Sequence, residues 1–391
     1  MYQIKLSERF AGYSTKAARG GETTRICVRG MSSCKDGKLH LNHLKGIPSI
    51  VLSLIPDKNK QANISSMVVT ITKDLDAKVY INELEEEVYA IPKIKHIEKD
   101  QPLTRDDICG IGKVAFKDFE FPKDQAYFCI LTNGWDRIFA FDFSPLNEDK
   151  NNVIDYEVEA FLGSCYSSVI YSDLVNISND DLDKLKENGL FPFYALKYKT
   201  NTNLLAYIRN DWPLDELFDD FESDLLESNE KWRDSWSASS EISDFINFFD
   251  IALERHLAAD YVSSISIIIP KIEGVLRTDF VACNPTKQGR NQKALIEHIV
   301  EPSKNQFLWL SSFLPEHFQS YITECFFKDF IHSTLDNDIS RHSVSHGASA
   351  SKQYDRKSSL ISLLIFVQVI EYALRSSNKK IMRDDIQPPH N

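Results

Sequence analysis

The chain has 391 residues, 42% hydrophobic and 26% charged, with 14 Gly and 14 Pro, which is the composition of an ordinary folded protein with room for two domains. Its formal net charge of −12 argues against coating nucleic acid over the whole surface and leaves room for a local basic cleft. The 7 cysteines (Cys27, Cys34, Cys109, Cys129, Cys165, Cys283 and Cys325) are odd in number and scattered, with no C-x-x-C, which fits reduced thiols filling cores rather than a disulfide frame or a zinc site.

The N-terminus, M-Y-Q-I-K-L-S-E-R-F, lacks the apolar segment of a secretory signal. No apolar run approaches the roughly 18 residues a bilayer demands; Leu363 to Val367, within the last helix, is far too short. A cytoplasmic protein without membrane contact is expected. Residues 1–205 read as a β-rich domain, because short runs rich in Val, Ile, Phe and Tyr recur between polar turns: 46–55, 65–72, 77–81, 126–131 and 137–143. Asn133-Gly134 between the last two predicts a hairpin. A helical piece is expected around 178–188, with Asp180 and Asp181 in its first turn, where carboxylates suit the helix dipole. A sandwich or barrel-like arrangement is the expectation for this half. Its residues carry no glycine-rich phosphate loop or nucleophile elbow. Recognition or regulation is the role left to it.

Residues 206–240 read as an acidic helical linker. Asn210-Asp211-Trp212-Pro213 breaks structure, and Asp215, Glu216, Asp219, Asp220, Glu222, Asp224 and Glu227 read as a solvated face. From 241 to 380 the period becomes helical. Ile246, Phe249, Leu253 and Leu257 form one stripe, and Ile265, Ile268, Ile269, Ile272, Val275 and Leu276 form a second, in which Pro270 predicts a kink or boundary. Further helices are expected at about 294–300 and 315–332, the latter carrying Phe318, Tyr321, Ile322, Cys325, Phe326 and Phe330. The apolar run Leu360 to Leu374 wraps its own circumference, which makes it either the central helix of the bundle or one covered by a second subunit. Polar residues follow from Ser376, and 381–391 read as a tail. The fold class expected is α+β: a β-rich N-terminal domain and then an all-α bundle.

Candidate chemistry lies just ahead of that last helix, in D-I-S-R-H-S-V-S-H-G, residues 338–347. RNA carries its own nucleophile, the 2′-OH. Cleaving it needs a base for that proton, an acid for the leaving 5′-oxygen and positive charge on the phosphorane oxygens. A histidine titrates near neutral pH and serves as base or acid. An arginine offers a permanent planar fork matched to phosphate. Arg341 and His346 supply both without a metal. Five residues of unbroken helix would set them roughly 140° apart, so convergence requires a helix end at His346, which Gly347 permits. Symmetry-related copies could also complete the site. Lys352, Arg356, Lys357, Lys287 and Arg290 are candidates for touching RNA. The plain alternatives are a helix-end carbonyl cap with a surface histidine, a metal pair from His342 and His346, and a structural Glu273–Arg277 pair at i,i+4. His256, on an amphipathic stripe, reads as a boundary residue.

R-H-S-V-S-H-G resembles the R-x4-6-H motif of the HEPN superfamily, here with His342 as the polar residue after the arginine. I-I-I-P-K-I-E-G-V-L-R, residues 267–277, resembles the second bundle helix of HEPN-type domains in bacterial defence proteins, and the apolar helix after S-H-G-A-S-A-S-K-Q-Y resembles their last. The likeness covers about 240–380. It implies a dimerising bundle and a metal-independent endoribonuclease that leaves a 2′,3′-cyclic phosphate, in toxin, abortive-infection or anti-phage systems. By position, Arg341 would stabilise the scissile phosphate, His346 would be the acid/base residue and His342 the polar helper, with no cofactor. The N-terminal half would sense a phage component or a nucleotide, or select RNA. Two rivals remain: a non-catalytic module binding RNA or protein, and a nucleotide-modifying enzyme acting on another phosphate with the same residues.

Overall fold

The computed structural model of the chain describes residues 1–8, 10, 12–24, 26–29, 44–56, 64–93, 97–146, 153–286, 291–305, 311–327 and 353–384. The fold is α+β, with an antiparallel sheet region followed by a helical one. The described chain divides into two compact units, Met1–Tyr89 with Lys113–Val169, and Ala90–Gly112 with Ile170–Asn391. The division therefore falls near residue 169, earlier than the expected 205.

In the first unit, strands β1 (Tyr2–Lys5), β4 (Ser66–Ile71), β5 (Asp76–Ile81), β8 (Ala126–Asn133) and β9 (Asp136–Asp142) make one sheet in the order β1-β5-β4-β8-β9, with every pairing antiparallel. Strands β2 (Gly12–Thr15) and β3 (Ile26–Arg29) pair separately, as do β6 (Glu86–Pro92) and β7 (Ile108–Phe116). Alternation along β4, β5 and β8 sends Met67, Val69, Ile71, Ala77, Val79, Ile81, Ala126 and Phe128 to one face. There they pack on Ile47 and Val51 of helix α1 (Ile47–Ser53). On the other face, Tyr127 meets Phe121, and its hydroxyl lies 2.8 Å from that of Tyr156. Among the described residues, a five-stranded sheet with a helix on one face and two separate two-stranded pairs take the place of the expected sandwich or barrel. The predicted hairpin is present: Asn133 pairs with Asp136 across Gly134 and Trp135, with Gly134 at φ 60°, a left-handed conformation that glycine adopts without strain.

After β9 the chain turns helical, sooner than expected. Helices α2 (Val158–Ile170), α3 (Ser172–Val175), α4 (Asn179–Glu187) and α5 (Tyr198–Arg209) occupy sequence expected to be mostly β. Leu182 with Leu185, and Leu204 and Leu205 with Ile208, recur at helical spacing and are buried. Helix α4 lies where it was expected. Ser178 caps it: its hydroxyl accepts the Asp181 N–H at 3.1 Å, and the Asp181 carboxylate accepts the Ser178 N–H in return.

The second unit is a helical bundle. The expected break at 210–213 separates α5 from α6 (Leu217–Ser237), with Asp211 at φ 52°. α6 is part of the bundle and not a linker. Phe221, Leu225, Trp232 and Trp236 sit in the main core, and Asp224, placed among solvated acids by its neighbours, is buried and accepts the Lys197 N–H at 2.9 Å. Helices α7 (Ser243–Leu257), α8 (Tyr261–Cys283), α9 (Gln292–Asn305) and α10 (Pro315–Tyr321, continued by a π turn over Ile322–Phe326) follow, and then α11 (Arg356–Asp384). Helix α8 runs unbroken through Pro270, whose position is exposed, so water can take the carbonyl that the missing N–H leaves free. Gly274 lets α8 approach α7 closely: a Cβ there would lie 3.0 Å from the Phe245 ring. Leu257, expected in the apolar stripe of α7, is 52% exposed. Phe330 lies outside the described residues.

Helix α11 is the centre of the bundle. Every residue from Ser359 to Ala373 is buried within the single chain, so no second subunit is needed to cover it. It packs most extensively on α8 and also touches α9, α6 and α7. Phe366 stacks on Phe249, which meets Trp236 edge-on at 5.3 Å. The stretch Arg356–Arg375 is the one helix among the described residues long and apolar enough to cross a membrane, and 83% of its apolar window is buried inside the bundle. It continues past the expected end at Leu374 to Asp384, because no Gly or Pro interrupts 375–384. Phe366→Ala should lower the unfolding free energy by about 3–5 kcal/mol, while Leu257→Ala changes it by less than about 0.5 kcal/mol. Denaturant titration followed by tryptophan fluorescence reads both.

Candidate functional site

Arg341, His342, His346 and Lys352 lie outside the described residues, as do Lys287 and Arg290. The chain re-enters description at Gln353, which is buried, and at once begins α11. Asp355 caps that helix: its carboxylate accepts the Ser358 N–H at 2.8 Å and its carbonyl accepts the Ser359 N–H at 3.1 Å.

Arg356, a candidate RNA ligand, is committed to carboxylates. Its Nη2 lies 2.7 Å from Asp219 Oδ1 and 2.9 Å from Glu222 Oε2, both on α6. These two hydrogen bonds raise its pKa above the ordinary arginine value. Arg356 thus fixes the start of α11 to α6, and only its remaining donor capacity could serve a phosphate. Lys357 beside it is half-buried.

Below Arg356 runs a polar chain through four helices. Glu222 Oε2 lies 3.2 Å from His256 Nε2, His256 Nδ1 lies 2.8 Å from Ser359 Oγ, and Ser359 Oγ lies 2.8 Å from Ser264 Oγ. Ser359 Oγ donates its one proton to Ser264 Oγ, so in the bond to His256 it is the Nδ1–H that donates to Ser359. The order carboxylate–imidazole–hydroxyl is that of a hydrolase nucleophile, but Ser359 and Ser264 are both 0% exposed, so no substrate reaches either hydroxyl. The chain serves as a lock: it joins α6, α7, α8 and the first turn of α11. His256 is therefore buried and not at a boundary. The sequence signal was its place on the apolar stripe, at i+3 from Leu253 and i+7 from Phe249.

A second polar group lies deeper. Trp236 Nε1–H donates to Glu371 at 3.1 Å, and Gln368 accepts the Tyr194 N–H at 2.6 Å. Arg375 lies 3.9 Å from Glu371, covers the Phe313 ring at 4.1 Å, and its Nη2 is 3.5 Å from Cys109 Sγ. Burial raises the Glu371 carboxyl above the usual range, against the pull of Arg375. This cluster is enclosed and structural. The predicted Glu273–Arg277 pair is present, with Nε 2.8 Å from Oε1. In the first unit, Ser65, Ser66, Asn82, Leu84, Glu86 and Thr132 line an open polar cleft of about 290 Å³, where burial raises the Glu86 carboxyl.

Comparison with protein-family models, with curated proteins and with solved structures finds no match for this chain.

The lock makes stability depend on pH. Burial holds the His256 imidazole below its ordinary pKa of 6.5, although Glu222 pulls the other way. Below about pH 6.5 the unfolded chain takes a proton that the folded chain refuses, so this stability is complete above that pH and is lost as the pH falls toward the folded-state value. Lowering the pH from about 7.5 to about 5.5 should therefore destabilise the wild type more steeply than His256→Gln, as read from denaturation midpoints across the range.

Proposed function

We propose that the protein is a metal-independent endoribonuclease of the HEPN type, with Arg341, His342 and His346 at its active site. The observation that carries this reading is the setting of the motif. R-H-S-V-S-H-G stands directly ahead of a helix enclosed on all sides, and that helix packs most extensively on the one bearing I-E-G-V-L-R. A cleavage site needs side chains held on a rigid platform, and the Glu222–His256–Ser359–Ser264 lock supplies one at the first turn of α11.

In this mechanism a base removes the 2′-OH proton and the 2′-oxygen attacks phosphorus. Arg341 stabilises the charge gathering on the equatorial oxygens, and His346 takes up or delivers a proton. The P–O5′ bond breaks, leaving a 2′,3′-cyclic phosphate and a 5′-hydroxyl. His342 hydrogen-bonds the phosphate or orients His346. Lys352, Lys287 and Arg290 remain candidates for contacting RNA, with Arg356 in a lesser part because of its two carboxylates. Two copies pair to bring their motifs together, in the cytoplasm, serving phage defence or a toxin system. The N-terminal unit responds to a trigger, a phage component or a nucleotide, and its polar cleft is the first place to seek that ligand. The alternative, a non-catalytic module binding RNA or protein, shares the bundle and differs only in lacking the reaction.

His346→Ala should lower the cleavage rate by about 10²- to 10⁴-fold and Arg341→Ala by about 10²- to 10³-fold, with RNA affinity reduced far less, because both act on the transition state. Single-turnover kinetics on purified proteins, with EDTA added at the start of the assay, separates rate from affinity. Equal cutting by all three proteins would remove the assignment, and RNA binding without cutting by triggered wild type would favour the module.

A further inference from the structure

The most unusual group outside these regions joins the end of α8 to α9. Asp279 and Cys283 share a face at i,i+4 in the last turns of α8, and His298 faces them from α9. One oxygen, one sulfur and one nitrogen from these residues lie within 4.8 Å of one another. Asp279 is 3% exposed, and both its carboxylate oxygens are buried without a hydrogen-bond partner. His298 Nε2 is likewise buried and without one, although it lies 3.1 Å from Asp279 Oδ2.

That combination needs a physical account. A buried carboxylate normally recovers its lost hydration through hydrogen bonds, and leaving it without them is costly. An Asp–His pair at 3.1 Å would ordinarily make an N–H···O bond, yet the directions here do not make one. The unsatisfied Asp279 oxygens and His298 Nε2, with the Cys283 sulfur, stand close enough together to serve as ligands of one ion. The Phe280 ring, 5.1 Å from the His298 ring and edge-on to it, helps to hold the imidazole in that orientation.

We infer that Asp279, Cys283 and His298 bind a divalent transition-metal ion of the zinc class. The donor set selects it: thiolate and imidazole favour zinc-like ions over calcium or magnesium, and a carboxylate completes a set known for zinc. Tetrahedral coordination at about 2.0–2.3 Å places ligand atoms roughly 3.3–3.8 Å apart, so a small inward movement of the side chains closes the site. Binding deprotonates the Cys283 thiol: the sulfur–metal bond forms as the S–H bond breaks, and the proton passes to water. Carboxylate and thiolate then balance the dication, and a fourth position stays open to water on the exposed side, where Cys283 lies. The ion ties together the two helices flanking the segment that carries Lys287 and Arg290. It is separate from the proposed cleavage residues.

The test uses the full-length protein, stripped with a chelator, dialysed and titrated with Co²⁺ as a visible substitute for Zn²⁺. Wild type should take up about one equivalent per chain and release protons as it does so. It should show a thiolate-to-cobalt charge-transfer band, and its melting temperature should rise on loading with Zn²⁺. Cys283→Ser alters an exposed position and nearly preserves its volume; it should lose the band and weaken binding by at least about tenfold. His298→Ala should weaken binding similarly. Failure of folded wild type to take up either ion stoichiometrically would overturn the site, and so would equal uptake by wild type and Cys283→Ser.

Discussion

A helix with no solvent-facing side can exist only if the polar groups it carries find partners on its neighbours. Helix α11 meets most of that constraint from Ser359 to Ala373, with the Gln368 side-chain nitrogen as an exception, and much of the second unit is arranged to supply those partners. Ser359 bonds across to His256, Gln368 takes the Tyr194 N–H, Glu371 takes the Trp236 indole N–H, and Tyr372 donates to the Phe313 carbonyl at 2.6 Å. Each of these bonds fixes a different element against the same axis. Removing one partner would leave a buried group unsatisfied at a cost of about 1–3 kcal/mol, a large share of the stability of an ordinary domain. The apolar residues of α11 bring the helices together, and its polar residues determine which helices meet, and in what register.

This arrangement bears on function through the first turn of α11. Asp355 caps the helix, Arg356 is held by two carboxylates of α6, and Ser359 is held by His256 and Ser264. In the proposed reading, a first turn held this firmly is the rigid support that a reaction dependent on precise placement needs. The same bonds take Arg356 largely out of competition for phosphate and leave that task to other cations. In the proposed reading, binding charge and catalytic charge are thus separated: Arg341 acts on the reacting phosphate, and lysines and arginines elsewhere hold the strand.

Features whose cause lies within a few residues were legible in the sequence. Asn133-Gly134 predicts its hairpin because the turn demands a positive φ. Asp180 and Asp181 predict a helix start because carboxylates in a first turn suit the local helix dipole. The apolar circumference of Leu360–Leu374 predicts a fully covered helix, and the structure decides between the two covers the sequence allowed, since one chain alone buries it. What could not be read depends on distant partners. The segments 158–170 and 198–209 contain enough Ile, Phe and Tyr to look like strands, and the second is marked as helical only by the spacing of Leu204, Leu205 and Ile208. Trp232 and Trp236 lie in sequence polar enough to pass for a linker, yet they fill the core because α11 offers them Phe366 and Glu371. The burial of His256 was signalled by its place on the apolar stripe, but its bond to Ser359, 103 residues on, was not, and Asp279 with His298 showed no motif spacing. The motif residues Arg341, His342 and His346 rest on the sequence pattern and on the setting of the helix that follows them.

The most direct test of the account is the chemistry of the cut itself. A short RNA that wild-type protein cleaves at one position would be compared with the same RNA carrying a single 2′-deoxy sugar on the 5′ side of that bond, and the product ends identified by mass spectrometry. If the 2′-oxygen is the nucleophile, the natural RNA gives a 2′,3′-cyclic phosphate and a 5′-hydroxyl, and the deoxy substrate stays intact at that bond. Cleavage of the deoxy substrate at the same bond, or products bearing a 5′-phosphate and a 3′-hydroxyl, would show that water attacks instead, and the proposed roles of Arg341 and His346 would be wrong.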